Sequence, residues 1–128
     1  MTNRPIEPPS IAPPAAAYRH AVLAERPERI LHTAGVVPIR PDGTVPESMG
    51  EQAETVWANI AAMLAEAGME PSDIVQATTY VIPGQDLSAV MAARDAFFAG
   101  HLVASVLVVV AALVRPEWKM EVSVVAAR

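Results

Sequence analysis

An uncharged run of thirteen residues, LVASVLVVVAALV at positions 102–114, limits the folds open to this chain. The run is too short to cross a membrane as a helix, which takes about 20 apolar residues. Its valines favour a strand, and because Ser105 is its only polar side chain, both faces of that strand should be covered. One layer of helices covers one face, so we expect the other to be covered by further chain or by a partner subunit.

Composition and charge narrow the classes of protein. We predict a single domain over residues 1–128, and a content of 52% hydrophobic and 18% charged residues favours a buried subunit interface. The net charge is −5 and the basic residues are scattered, so no nucleic-acid partner is expected. There is no cysteine, which excludes disulfides and thiolate sites. Lacking a signal-type or membrane-spanning segment, the chain is expected to be cytoplasmic.

Turn signals and apolar spacing predict the order β-β-α-β-α-β-β after a proline-rich, irregular arm over residues 1–16. Ser48 and Glu51 form a capping-box pattern that starts the first helix, and Gly68 ends it. The predicted strands cover 18–23, 30–37, 74–82, 102–114 and 118–126, and the second helix covers 87–99. This count implies an α+β fold, with one mixed sheet and both helices packed on one of its faces.

Glu121 is the one carboxylate whose position in the sequence suggests chemistry. The three histidines lack ligand spacing, so we predict no metal site, and no phosphate loop or nucleophile motif is present, so no cofactor is predicted. Strand alternation places Glu121 on one face of the last strand together with Lys119 and Ser123. Such a carboxylate either forms an ion pair or acts as a general base or water-positioning group. The sequence leaves both interpretations open.

Four segments stand in the order of a known family's motifs. They are AAYRHAV at 16–22, AGVVP at 34–38, HLVASV at 101–106 and MEVS at 120–123. The corresponding family patterns are roughly G-P-Y-S-Q-A-V, S-G-Q-I-P, H-x-P-A-R-S and V-E-I-E. From about Pro13 to Ala126 the chain therefore resembles the Rid family, also called YjgF.

The resemblance implies a chorismate-mutase-like fold and a homotrimer, in which three sheets form an inner barrel with the helices outside. It also implies clefts at the subunit interfaces, where the best-known members hydrolyse enamines and imines to keto acids and ammonia. In these clefts an arginine binds the substrate carboxylate and a glutamate, matched here by Glu121, orients a water. Tyr18 and Gly35 match residues that line the pocket.

The departures from the family pattern concern substrate binding. Ser105 stands at the arginine position, and a serine offers one neutral donor where arginine offers a charged fork. Met91 stands at an asparagine position and Leu107 at a cysteine position. We therefore expect an amino-acid-derived imine to be a poor substrate, unless Arg19 or Arg115 reaches the cleft. Otherwise the ligand should be neutral or apolar.

Two functions remain. The first is a small-molecule deaminase or related hydrolase, with Glu121 and Tyr18 as catalytic residues. Its substrate-binding residues would be Gly35, Ser105, Leu107, Met91 and Arg115. The second is a trimer that binds a small metabolite without chemistry. A nuclease, a label that some family members carry, is disfavoured by the acidic charge.

Overall fold

The computed structural model describes residues 3–128. It contains strands β1 (Asn3–Ile6), β2 (Ala21–Ala24), β3 (Ile30–His32), β4 (Ile74–Val81), β5 (Ala104–Val109) and β6 (Met120–Ala127). Its helices are α1 (Met49–Glu66) and α2 (Leu87–Phe98), with a short 3₁₀ turn at Pro71–Asp73. The predicted order β-β-α-β-α-β-β is confirmed from β2 onward, and β1 precedes it.

The N-terminal arm, predicted to be irregular over residues 1–16, contains β1. This strand pairs antiparallel with β2 in a separate two-stranded ribbon, in which Ile6 lies opposite Ala21. Pro5 is tolerated because β1 has a neighbour on one side only, so its missing N–H need not serve a second ladder. The prolines concealed this strand from the sequence pattern. Residues 1 and 2 of the predicted arm lie outside the described residues.

The main sheet has the strand order β3-β6-β4-β5, with β4 and β5 parallel and the other pairs antiparallel. Its alternate residues form one buried face, which packs against the apolar sides of α1 and α2. That face includes Ala77 and Val81 of β4 and Met120, Val122 and Val124 of β6. The prediction of an α+β fold with both helices on one face of a mixed sheet is confirmed.

The apolar run at 102–114 forms a strand only over Ala104–Val109. Its partner β4 ends at Val81, where Val110 donates a last hydrogen bond to the Val81 carbonyl, and residues 110–119 continue as a loop. The helix-facing side of β5 carries Ser105 and Leu107, which are both partly buried. On the other face Val106 and Val108 remain 42% and 40% exposed. Of the two strand faces that were predicted to be covered, a single chain therefore leaves this one open.

The helix ends follow the predicted signals. Ser48 Oγ accepts a hydrogen bond from the Glu51 N–H at 3.2 Å, and Gly68 takes a φ of +69° just past the end of α1. At the start of α2, Asp86 accepts a hydrogen bond from the Ser88 N–H. Within residues 3–128, neither helix combines the length and apolar character needed to cross a bilayer.

Candidate functional site

Glu121 lies on the uncovered face of the sheet. It pairs in register with Tyr80 of β4, which in turn lies beside Val108 of β5. The Glu121 carboxylate points into a recess of about 300 Å³ between this face and the loop after β5. We call this the Glu121 recess, and its lining residues are Gly35, Tyr80, Val110, Ala112, Leu113, Glu121 and Ser123. A single carboxylate therefore meets a largely apolar wall.

Gly35 makes room for that carboxylate. Val36 and Val122 exchange two backbone hydrogen bonds, of 2.7 and 3.1 Å, which hold the Gly35 segment against β6. A Cβ atom built on Gly35 would lie 1.8 Å from Glu121 Oε2. Gly35 is not among the residues of positive φ, so its backbone does not require glycine. The absence of a side chain at Gly35 is thus a matter of space for Glu121.

The Glu121 carboxylate has no protein partner in the described chain. No hydrogen bond or ion pair reaches it from residues 3–128. Lys119, which shares its strand face as predicted, donates instead to the backbone carbonyl of Glu47. An ion pair with Lys119 is therefore not what holds Glu121, and both of its oxygens remain available to a water or a ligand.

Ser105 lies in a second cavity. Its register partner is Ala77, a core residue, so its side chain lies on the helix-facing side of β5 with Leu107, as strand alternation predicts. The cavity measures about 140 Å³, and we call it the Ser105 cavity. Its lining residues are Ala17, Arg94, Asp95, Phe98, Gly100, His101, Leu102, Val103 and Ser105.

Tyr18 lies beside this second cavity. The N–H of Arg19 donates to the Val103 carbonyl at 2.8 Å, which ties the segment before β2 to the start of β5. The Tyr18 hydroxyl accepts a hydrogen bond from the Ala15 N–H at 3.3 Å, and its ring meets that of His20 edge-on. The hydroxyl hydrogen of Tyr18 is not used in that bond.

One chain does not bring all predicted site residues together. Ser105 and Glu121 lie on opposite faces of the sheet and in separate cavities. Leu107 packs against the hydrophobic core, and Met91 is half-buried on α2 outside both cavities. Arg115 is exposed, with its guanidinium 5.3 Å from the centre of the Trp118 ring.

Tyr80 and Arg94 are among the cavity residues that were not predicted from the sequence. Tyr80 lines the Glu121 recess, and Arg94 lines the Ser105 cavity. The signal for Arg94 was its position three residues after Met91, since residues at that spacing share a helix face. Nothing in the sequence shows which strand pairs with Glu121, so Tyr80 carried no signal. Among residues 3–128, no three histidine, aspartate or glutamate side chains gather as metal ligands would.

A third hollow, of about 730 Å³, lies between α1 and residues 31–39. Its walls are mainly apolar, and the amide of Asn59 is already occupied by the carbonyls of Val37 and Ile39. Its size alone does not make it reactive, because the polar groups needed to orient a substrate do not converge there.

Known proteins of similar sequence and structure identify the family of this chain. The family model described as Endoribonuclease L-PSP matches residues 10–128. The chain belongs to this family, the YjgF/Rid family. A Yersinia pestis protein of unknown function, YyfB of the conserved Rid protein family, superimposes with a TM-score of 0.87 at 31% identity over the full length of both chains. The Escherichia coli YjgF gene product gives 0.73 at 30% identity, over 91% of this chain and 93% of its own.

Curated family members match a shorter stretch. The 2-iminobutanoate/2-iminopropanoate deaminase of Escherichia coli K12 is 36% identical over 70 residues, which are 54% of this chain and 55% of that protein. A RutC family protein of Haemophilus influenzae is 36% identical over 67 residues, or 52% of each chain. The chain thus matches about half the length of these curated relatives. A match over half the length supports membership in the family and does not by itself assign the activity of these relatives to this chain.

Proposed function

We propose that this protein is a hydrolytic deaminase of small imines or enamines that works as a homotrimer. The carboxylate of Glu121 supports this most directly, because it has no partner among residues 3–128 and lies in an open, largely apolar recess beside Gly35. A carboxylate in such surroundings is well placed to hold one water molecule. The Escherichia coli relative named as a deaminase supports the same reaction class. A cytoplasmic location stays a prediction.

The uncovered sheet supports the assembly. β5 is an edge strand, and among residues 3–128 its outer edge has no partner beyond the bridge between Arg19 and Ala104. Val106 and Val108 are exposed on the same face as Glu121. Sister copies would cover this face and edge, which a monomer leaves as a site for aggregation. We propose that they also bring the Glu121 recess of one copy opposite the Ser105 cavity of the next, because the first cavity is lined by the loop after β5 and the second by the start of β5.

The chemistry follows from a carboxylate and a water. Glu121 would accept a proton from the water as its oxygen bonds to the imine carbon. That proton would then pass to the nitrogen, which gives a carbinolamine. A second proton would pass from the carbinolamine hydroxyl to the nitrogen as the carbonyl forms and the C–N bond breaks, so one imine and one water give one carbonyl compound and one ammonia. Tyr18, whose hydroxyl hydrogen is free of the Ala15 contact, is proposed to donate to the substrate from the neighbouring cavity.

The alternative is a trimer that binds a metabolite without transforming it. The apolar lining of the Glu121 recess by Val110, Ala112 and Leu113 favours it, since such walls also suit a neutral ligand. The nuclease named in the family description is not proposed, because the chain carries a net charge of −5.

The deciding experiment supplies 2-iminobutanoate, generated in situ, and measures the release of ammonia and 2-oxobutanoate. Glu121→Gln should lower kcat by at least about a hundredfold with the melting temperature retained. Glu54→Gln, an equivalent change on the exposed side of α1, should keep full turnover. Full activity in Glu121→Gln would refute the mechanism. A wild type that is stabilised by ligand yet releases no ammonia would support the alternative. If sedimentation shows the protein to be a monomer at micromolar concentration, the proposed cleft between subunits does not exist.

A further inference from the structure

Arg94 is a largely buried cation in the wall of the Ser105 cavity. Its side chain is 14% exposed, whereas the other arginines that form ion pairs within residues 3–128 are 32% to 57% exposed. Burying a guanidinium removes hydration that its partners must replace. The position of Arg94 therefore calls for a compensating anion.

The anion that the chain supplies is a weak one. Among residues 3–128, the guanidinium has Asp95 as its hydrogen-bond partner, through Nε at 3.3 Å and Nη2 at 3.1 Å to the same Oδ1 atom. The Asp95 side chain is 64% exposed, and adjacent helix residues do not face each other. Exposed pairs of this kind contribute little stability. Of the five guanidinium N–H groups, three are left for another acceptor.

The two other candidate arginines are engaged elsewhere. Arg19 forms an ion pair with Glu7, and Arg115 lies over the Trp118 ring. Neither lines the Ser105 cavity, whereas Arg94 reaches it from α2. The alternative left open by the sequence, that Arg19 or Arg115 replaces the missing arginine, therefore finds no support within one chain.

We infer that Arg94 binds the carboxylate of the substrate, and that the cation absent from position 105 on β5 is supplied from α2. This inference rests on the proposed function, because the cleft that it requires forms only in the proposed homotrimer. The planar guanidinium fork suits a carboxylate, and the Ser105 hydroxyl adds a neutral donor in the same cavity. A cavity of about 140 Å³ admits a compact acid, so within the proposed reaction Arg94 would hold the carboxylate of a small imino acid and of its oxo-acid product. This reverses the sequence-based expectation of a neutral ligand.

The test measures binding by calorimetry with two matched probes, 2-oxobutanoate and its neutral amide, 2-oxobutanamide. Wild type should prefer the acid. Arg94→Gln should lower affinity for the acid by about ten- to a hundredfold and leave the amide unchanged. Arg94→Lys, which keeps the charge and loses the fork, should fall between them. Arg40→Gln removes an equal charge from the exposed Arg40–Glu51 pair and should change neither affinity.

Each outcome decides the inference. Equal affinity of wild type and Arg94→Gln for 2-oxobutanoate overturns it, as does a wild type that binds no acid. If Arg94→Gln fails to fold, an Arg94→Lys variant of wild-type affinity overturns it instead. In the imine assay Arg94→Gln should raise KM more than it lowers kcat. Binding of the acid and release of ammonia are measured separately. If the acid binds through Arg94 but no ammonia is released, the proposed function is refuted and the inference about Arg94 stands.

Discussion

Replacing Gly35 by alanine tests whether the position of Glu121 matters for function separately from the fold. The added methyl group would lie 1.8 Å from Glu121 Oε2 and 3.0 Å from its Cδ. Ordinary van der Waals contact begins at 3.4 Å, so the oxygen must move by about 1.6 Å, the difference between those two distances. The side chain is flexible, so we expect the carboxylate to move and the backbone to stay.

The size of the effect follows from that movement. A misplacement of about 1 Å in a reacting group can cost about a hundredfold in rate, which equals about 2.7 kcal/mol of transition-state stabilisation. The fold should not suffer, since Gly35 has no positive φ that alanine would strain. Alanine also restricts the unfolded chain, which stabilises by about 0.4–1 kcal/mol where the native backbone suits it. Activity should therefore fall while the melting temperature holds or rises.

The assay is kcat for 2-iminobutanoate together with a thermal melt. Gly50→Ala is the matched control, because a Cβ at Gly50, near the start of α1, meets no atom within 4 Å. It should stabilise the fold by about 0.5–1 kcal/mol and keep full turnover. If Gly35→Ala turns over the imine as fast as Gly50→Ala does, the reasoning that ties Gly35 to Glu121 is wrong.

Two further predictions concern the fold that supports the site. Gln52 is 1% exposed, and its amide bonds the carbonyls of Pro46 and Glu117 and the Lys119 N–H. Gln52→Leu should lower the free energy of unfolding by about 3 kcal/mol in urea, because it leaves these groups unpaired. Hydrogen bonds from the Ser88 hydroxyl and backbone N–H hold the pKa of Asp86 below its ordinary value of 3.8. Ionised Asp86 therefore stabilises the fold above pH 3.8, and this contribution is lost as the pH falls through the lowered pKa. Asp86→Asn, which keeps the cap, should weaken the acid sensitivity of the melting temperature.

Each of these two has a control. Gln85→Leu, at the turn before α2, should change the urea midpoint little. If Gln52→Leu shifts the midpoint no more than Gln85→Leu does, the three hydrogen bonds of Gln52 do not stabilise the fold. Glu54→Gln serves for Asp86→Asn, because Glu54 is an exposed carboxylate on α1. Identical pH profiles of the Asp86→Asn and wild-type proteins would contradict the role given to the cap.

Much of the fold was predictable because its signals are local. The Ser48 cap, the Gly68 stop and the alternation in β6 each depend on a few neighbouring residues, and the structure confirms all three. β1 was missed because Pro5 argues locally against a strand, and only its pairing with β2 overrides that signal. The strand at 102–114 was predicted too long, because where it ends depends on where β4 ends.

By itself, the sequence determined which residues share a face within each strand. It predicted that Glu121 shares a face with Ser123 and that Ser105 shares a face with Leu107, and the register of the sheet agrees. Only the tertiary structure decided how those faces relate. It set Ser105 against the helices and Glu121 on the bare side, and it placed Arg94 in the cavity of Ser105. The physical reason is that periodicity acts along one strand or helix, whereas register and helix docking join residues far apart in the chain.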